Sequence, residues 1–319
     1  MTHRVFILGA TGYIGGSVLV SILQAYPTWE ITALVRSTSS VGPLKELGVH
    51  EVVIGTHEDL ELIVNLTSLA DVVINCADAD DLPLTRAIVD GVKIRSKINA
   101  SESKGKPILI HTSGTGVISD QAEGEFMESG KKIWNDNSEY DIRSIPAEQP
   151  HRLVDLEVFR ADLSEYCSAY IIAPSTIYGT GTGPGNRISQ QIPTAVRTAV
   201  KRSQAVHIAD LTKLYLLVLS RALSRVSEPS SYAKFYFASV QEHVWGDVIR
   251  QIAQILYEIK RIPSPDVKSV SLREEPDLRY LANNSRSMSE RGFSIGWKPH
   301  APSIEETLEE DVVATLAKA

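Results

Sequence analysis

Val5-Phe6-Ile7-Leu8-Gly9-Ala10-Thr11-Gly12-Tyr13-Ile14-Gly15-Gly16 opens the chain with a short apolar run that turns into glycines at fixed spacing. The run has the length and composition of a buried strand. A strand, a glycine turn and a helix in that order form a cradle for a nucleotide pyrophosphate. Gly9 permits the tight turn, Gly12 lets the backbone approach the phosphates, and Gly15 lets the helix pack close to the strand. Thr11, Tyr13 and Ile14 complete the cradle, whose helix N-terminus offers free N–H groups and a partial positive charge. The alternative is a glycine-rich turn of purely structural use. The βαβ pattern that follows favours the cradle.

Outward from this stretch, apolar runs alternate with helical patterns through the first 175 residues. Strands are expected at 4–9, 30–35, 50–54, 71–76, 107–112 and 168–173. Alternation of this kind predicts an α/β fold, a Rossmann-type doubly wound parallel sheet with helices on both faces. Runs such as Asp71-Val72-Val73-Ile74-Asn75 suit strands buried on both sides. Residues 119–150 are polar and aperiodic, the pattern of a long excursion over the functional edge. Beyond residue 174 the composition changes. The stretch from Pro174 is rich in Gly, Pro and Thr, and its part 180–185 reads as a mobile loop over a substrate or as a surface connection. Helices are expected at 188–202, from the Val206–Leu211 stretch to about Leu223, at 244–260 and at 303–317. Ser303 and Glu306 form a capping box at the start of the last. The expected division is a dinucleotide-binding core, 1–175, and a smaller mixed C-terminal substrate lobe, 176–319, interleaved with the core around 206–240.

The bulk numbers narrow the function. The chain has 319 residues, 43% hydrophobic and 22% charged, with a net charge of −7. An acidic chain without a basic block argues against nucleic acid as a partner. Cys76 and Cys167 are too few for a disulfide framework and match no zinc spacing, so no metal site is expected and a reducing, cytoplasmic setting is. The first strand begins by Arg4, so no signal peptide is expected, and no 18-residue apolar stretch predicts a membrane span. The amphipathic segment 81–99 suits either a homodimer interface or an ordinary surface helix.

Five stretches together carry a family resemblance: Gly9–Gly15; Ile108-Leu109-Ile110-His111-Thr112-Ser113-Gly114-Thr115; Ala173-Pro174-Ser175-Thr176-Ile177-Tyr178-Gly179; Val206–Leu211; and Gly296-Trp297-Lys298-Pro299 with Pro302–Leu308. In this order they resemble the extended short-chain dehydrogenase/reductases, in their atypical, NmrA-like and epimerase-like branches, over the whole chain. The resemblance implies a core that binds NAD or NADP and a C-terminal lobe that closes over a small substrate. It also implies that Thr112, Pro174, Ser175 and Thr176 line the cofactor cleft.

The second strand ends at Arg36. An acidic residue there would hold the ribose 2′-hydroxyl of NAD, whereas an arginine accommodates the 2′-phosphate of NADP. Ser37 and the hydroxyls after it can add donors, so NADP is favoured over NAD; a solvated strand-end arginine is the other reading. Asn75, Cys76 and Ala77 are expected beside the adenosine, and Asp78 there or as a helix cap.

Carbonyl reduction needs a hydride and a proton. The family's usual acid is a tyrosine with a lysine four residues on, but none of the eleven tyrosines has one. Where that helix should begin stand His151 and Asp155. At i, i+4 they can meet as an acid/base pair, with Asp155 orienting His151; otherwise they are a helix-start residue and a surface carboxylate. Ser113 is the expected substrate-polarising hydroxyl, with Thr115 in reserve, or a strand-end cap. Tyr178 is a candidate proton donor or a packing residue, and Tyr140 and Tyr166 cannot be placed. The reading is an NADP-dependent reductase of a small carbonyl, imine or enone. The alternatives are a non-catalytic NADP-binding regulator or a redox-neutral isomerase, epimerase or dehydratase.

Overall fold

Alternate residues of the central strands enter different cores, which explains their unbroken apolar character. In β1 (Arg4–Leu8), Val5 and Ile7 pack into one cluster while Phe6 and Leu8 pack into another. The same division holds in β4 (Val72–Asn75) and β5 (Ile108–Thr112): Val72, Ile74, Ile108 and Ile110 face one way, Val73 and Leu109 the other. A period of two with apolar residues at both phases yields a strand buried on both faces. The computed structural model describes residues 2–123, 127–189, 202–268, 272, 274 and 282–317.

The main sheet has seven strands. The others are β2 (Glu30–Val35), β3 (Glu51–Ile54), β7 (Ser168–Pro174) and β10 (Phe235–Ala238). Their order is β10-β7-β5-β4-β1-β2-β3, and every pairing is parallel. Helices α1 (Tyr13–Ala25) and α7 (Ile208–Leu223) pack together on one face, and α2 (Val41–Leu47) adds Leu44 to the same core. On the other face lie α3 (Leu60–Leu69), α4 (Leu82–Ser101) and α6 (Arg152–Leu163). Strand order reverses beside β1, so a crevice opens outside the carboxyl ends of β1 and β4, where such sheets bind ligands.

A three-stranded sheet joins β8 (Thr176–Tyr178) in parallel to β9 (Arg202–His207), which pairs antiparallel with β11 (Gln241–Val244). Behind it, α8 (Trp245–Glu258) and α10 (Ile304–Leu316) form a third core around Trp245, Ile249, Ile252 and Leu308. Ser303 and Glu306 make the expected capping box. The 119–150 excursion holds β6 (Trp134–Asn135) and α5 (Glu139–Ser144). Strand β6 pairs with β12 (Ser287–Met288), which leads into the short α9 (Glu290–Ser294). Asp136, fully buried, accepts the backbone N–H groups of Phe237 and Arg291, pinning the excursion to both the main sheet and the C-terminal segment. The helix expected at 188–202 lies almost wholly outside the described residues.

The glycine turn leaves no room for side chains. Gly9 has φ +81°, and a Cβ there would stand 2.4 Å from the Cys76 carbonyl oxygen. Gly9→Ala is therefore expected to cost more than about 2 kcal/mol, from left-handed strain and backbone collision together. Urea denaturation of the two proteins checks this; equal midpoints would contradict it.

Candidate active site

The glycine turn has the features a dinucleotide cradle needs. Gly12 N–H donates to the Gly9 carbonyl (2.8 Å), closing the turn. A Cβ on Gly15 would lie 2.3 Å from that carbonyl oxygen, so only glycine lets α1 come this near. Among the described residues no side chain caps α1. Its first N–H groups, from Tyr13 onward, are therefore available to an anion. The residues present thus fit a pyrophosphate.

The Gly/Pro/Thr run seats on this turn from outside. Asn186 N–H donates to the Thr11 carbonyl, Thr182 N–H to Ser17 Oγ, and the Tyr13 hydroxyl to the Gly179 carbonyl. Gly183 stands so close to Gly16 that a Cβ on it would lie 2.6 Å from the Gly16 Cα. The run thus braces the cradle.

At the end of β2, Arg36 is exposed and has no ion-pair partner among the described residues. Ser37 caps the short turn Thr38–Ser40, accepting from the Ser39 N–H (3.2 Å). Four of the residues expected beside the cofactor, Asn75, Cys76, Thr112 and Ser175, hydrogen-bond within the protein. The Asn75 amide meets His111 Nδ1 (3.2 Å) and accepts the Ala77 N–H, shaping the turn after β4. Thr112 donates to Cys76 Sγ and meets the Tyr215 hydroxyl (2.6 Å). Ser175 donates to the Ala238 carbonyl, joining β7 to β10, while Pro174 ends β7 and Thr176 opens β8. Burial pushes the Cys76 thiol up to about 11, so it stands as a thiol at neutral pH.

Beyond β5 the polar residues sort into two pairs, and they are not the pair expected. His151 is not helical: its φ is +66°, and α6 starts at Arg152. The Asp155 N–H still donates to the His151 carbonyl (3.0 Å), but the expected side-chain contact between His151 and Asp155 is replaced by two others. Asp155, fully buried, accepts from the Ser113 hydroxyl (3.1 Å). Its other oxygen has no hydrogen-bond partner among the described residues. Burial pushes this carboxyl up to about 7, against the smaller opposing pulls of Ser113 and Arg152. His151 turns the other way and places Nδ1 2.9 Å from Asp80 Oδ1. Its Nε2 faces the end of β5. A Cβ on Gly114 would stand 3.2 Å from that atom, and one on Gly116 3.0 Å.

Asp80 is a partner that the sequence does not single out, since Asp78 is the expected residue there. The available signal is the run Asp78-Ala79-Asp80-Asp81, in which the helix cap is Asp81, accepting from Leu84 N–H (2.8 Å). Beneath the cluster, burial lowers His111 to about 3, so it is neutral. Tyr178 is corrected as a proton donor. Its hydroxyl donates to the Pro302 carbonyl (2.8 Å), its ring packs on His207, and burial raises its pKa. Tyr140 is exposed on α5, and the Tyr166 ring lies under the Lys93 ammonium. Neither touches the cluster. Among the described residues no group of histidines, cysteines and carboxylates is arranged to hold a metal ion, and no helix is long and apolar enough to cross a membrane.

Known proteins share the fold. Residues 1–99 match the NmrA-like family. The oxidase ucsJ of Acremonium sp is 26% identical, the match covering 97% of this chain and 96% of that protein. Among solved structures, the dTDP-glucose 4,6-dehydratase of Bacillus anthracis, in complex with NAD, superposes with a TM-score of 0.65 at 17% identity, covering 98% of this chain and 96% of the other. The yeast methylglyoxal/isovaleraldehyde reductase Gre2, complexed with NADPH, superposes with 0.63 at 12% identity, covering 100% and 99%. The fold is a Rossmann-type fold, shared with these solved structures.

A buried carboxyl held above its unfolded value of 3.8 contributes stability below that value, and the contribution fades as pH rises through about 7. Asp155→Asn cannot ionise. Relative to the wild type, it should therefore gain stability as pH is raised from 4 to 8. Thermal unfolding across this range checks the sign; a parallel pair of profiles would contradict the burial argument.

Proposed function

We propose that the protein is an NADP-dependent reductase of a small organic carbonyl, imine or enone. The observation that carries this reading is the placement together, at the carboxyl ends of β1, β4 and β5, of the glycine cradle, Ser113 and His151, whose Nε2 faces the end of β5. When bound, the nicotinamide supplies the hydride. The cradle N–H groups hold the pyrophosphate, and Arg36 with Ser37 meets the 2′-phosphate. The fold shared with a reductase complexed with NADPH supports the same reading.

The chain's own residues manage the proton. Where Asp155 carries its proton, the carboxyl O–H donates to Ser113 Oγ, and the Ser113 hydroxyl is free to donate to a substrate oxygen. His151 delivers a proton from Nε2 to the oxygen that becomes negative as the carbonyl is reduced. This divides between a serine and a histidine the work that the family's usual tyrosine and lysine perform. The C-terminal elements, with β8 and α10 behind them, close the substrate side.

Calorimetric titration tests the cofactor assignment. NADPH is expected to bind at least about tenfold more tightly than NADH, and Arg36→Ala to remove most of that difference, since about 1.4 kcal/mol corresponds to tenfold. NADPH oxidation with aldehydes, α-dicarbonyls and enones tests the chemistry. Ser113→Ala and His151→Ala should each lower kcat about a hundredfold without weakening NADPH binding. Equal affinity for the two dinucleotides would overturn the first assignment, and unchanged turnover in both variants the second.

A further inference from the structure

His151 occupies a backbone conformation that glycine or asparagine adopts with less strain. A non-glycine side chain at φ +66° strains the backbone. A strained residue beside a ligand cleft points to a use for its side chain. The seat of this ring is built on both sides. On one side Gly114 and Gly116 leave the space that the imidazole fills. On the other, a single oxygen, Asp80 Oδ1, accepts the His151 backbone N–H (2.9 Å) and lies 2.9 Å from Nδ1. One carboxylate thus holds the strained backbone and the ring at once.

Asp80 is itself fixed by its neighbours. Its N–H donates to Asp78 Oδ1 (2.8 Å), and the next residue, Asp81, caps α4. The three aspartates therefore divide the work. Asp78 forms the turn, Asp81 anchors it to a helix, and Asp80 faces His151. We propose that Asp80 is the positioning residue of His151, holding the proton on Nδ1 so that Nε2 is the atom offered at the end of β5. This deepens the reductase reading, since it matters to catalysis only if His151 handles the substrate's proton. A neutral imidazole free in water prefers its proton on Nε2. The proton must be on Nδ1 before Nε2 can accept one, and on both nitrogens before Nε2 can donate.

The experiment reads the tautomer directly and needs no substrate. The 15N-labelled full-length protein, with NADP+ added, is examined by long-range imidazole 1H–15N correlation at a pH where His151 is neutral, and the His151 signals are assigned by their loss in His151→Gln. The wild type is expected to show the Nδ1–H form. Asp80→Ala should shift the population toward Nε2–H by several-fold, and Asp80→Glu should restore Nδ1–H at least in part. Because Asp80 is exposed, these changes leave the core intact. An Nε2–H form in the wild type, or an unchanged Nδ1–H form in Asp80→Ala, would overturn the proposal. Neither outcome depends on whether NADPH is oxidised, so this test and that of the reductase reading fail separately.

Discussion

Everything in the site depends on one close approach of three backbones. Gly9 leaves β1, Gly15 lies in the first turn of α1, and Cys76 follows β4, with no room for a methyl group between them. This contact draws the N-terminus of α1 against the sheet at the place where strand order reverses. The helix end then points its N–H groups into the crevice rather than over a neighbouring strand. The Gly/Pro/Thr run repeats the device outside. Its glycines let a second backbone lie on Gly16 and Thr11, and the Gly179 N–H in turn donates to the buried Asp311 of α10. The cradle is therefore mechanically continuous with the C-terminal helix.

The second constraint is the placing of carboxyl groups. Asp155 is in the core, where burial favours its neutral form, and its partner is a hydroxyl that can accept or donate. Asp80 is on the surface, and its partner is an imidazole. Two similar side chains thus take different roles because their surroundings differ. Neutral His111, below them, adds no charge of its own.

Six of the seven strands of the main sheet are legible in the sequence because two-sided burial leaves continuous apolar runs, with boundaries displaced by one residue at most; the edge strand β10 (Phe235–Ala238) is not among those expected. Ser303 and Glu306 are legible because a capping box is local. The small sheet is not. Its strands are short, and the pairing of Thr176–Tyr178 with residues near 205 is decided by tertiary packing rather than by pattern. The expected pairing of His151 with Asp155 fails for a definite reason. The i, i+4 rule holds only when both residues are helical, and a single left-handed residue turns the ring toward Asp80, 71 positions earlier. Nothing local announces such a contact. Tyr178 misleads because its motif lies beside the cleft in sequence, while its hydroxyl is taken up by the Pro302 carbonyl in the C-terminal segment.

If the dinucleotide cradle and the two acid/base pairs form one site, a crystal structure of the protein with NADPH must show them around one ligand. Phosphate oxygens are expected on the N–H groups at the start of α1, the 2′-phosphate against Arg36, and the nicotinamide bordered by Ser113 and His151. A nicotinamide remote from both residues, or a dinucleotide bound away from the glycine turn, would contradict this arrangement.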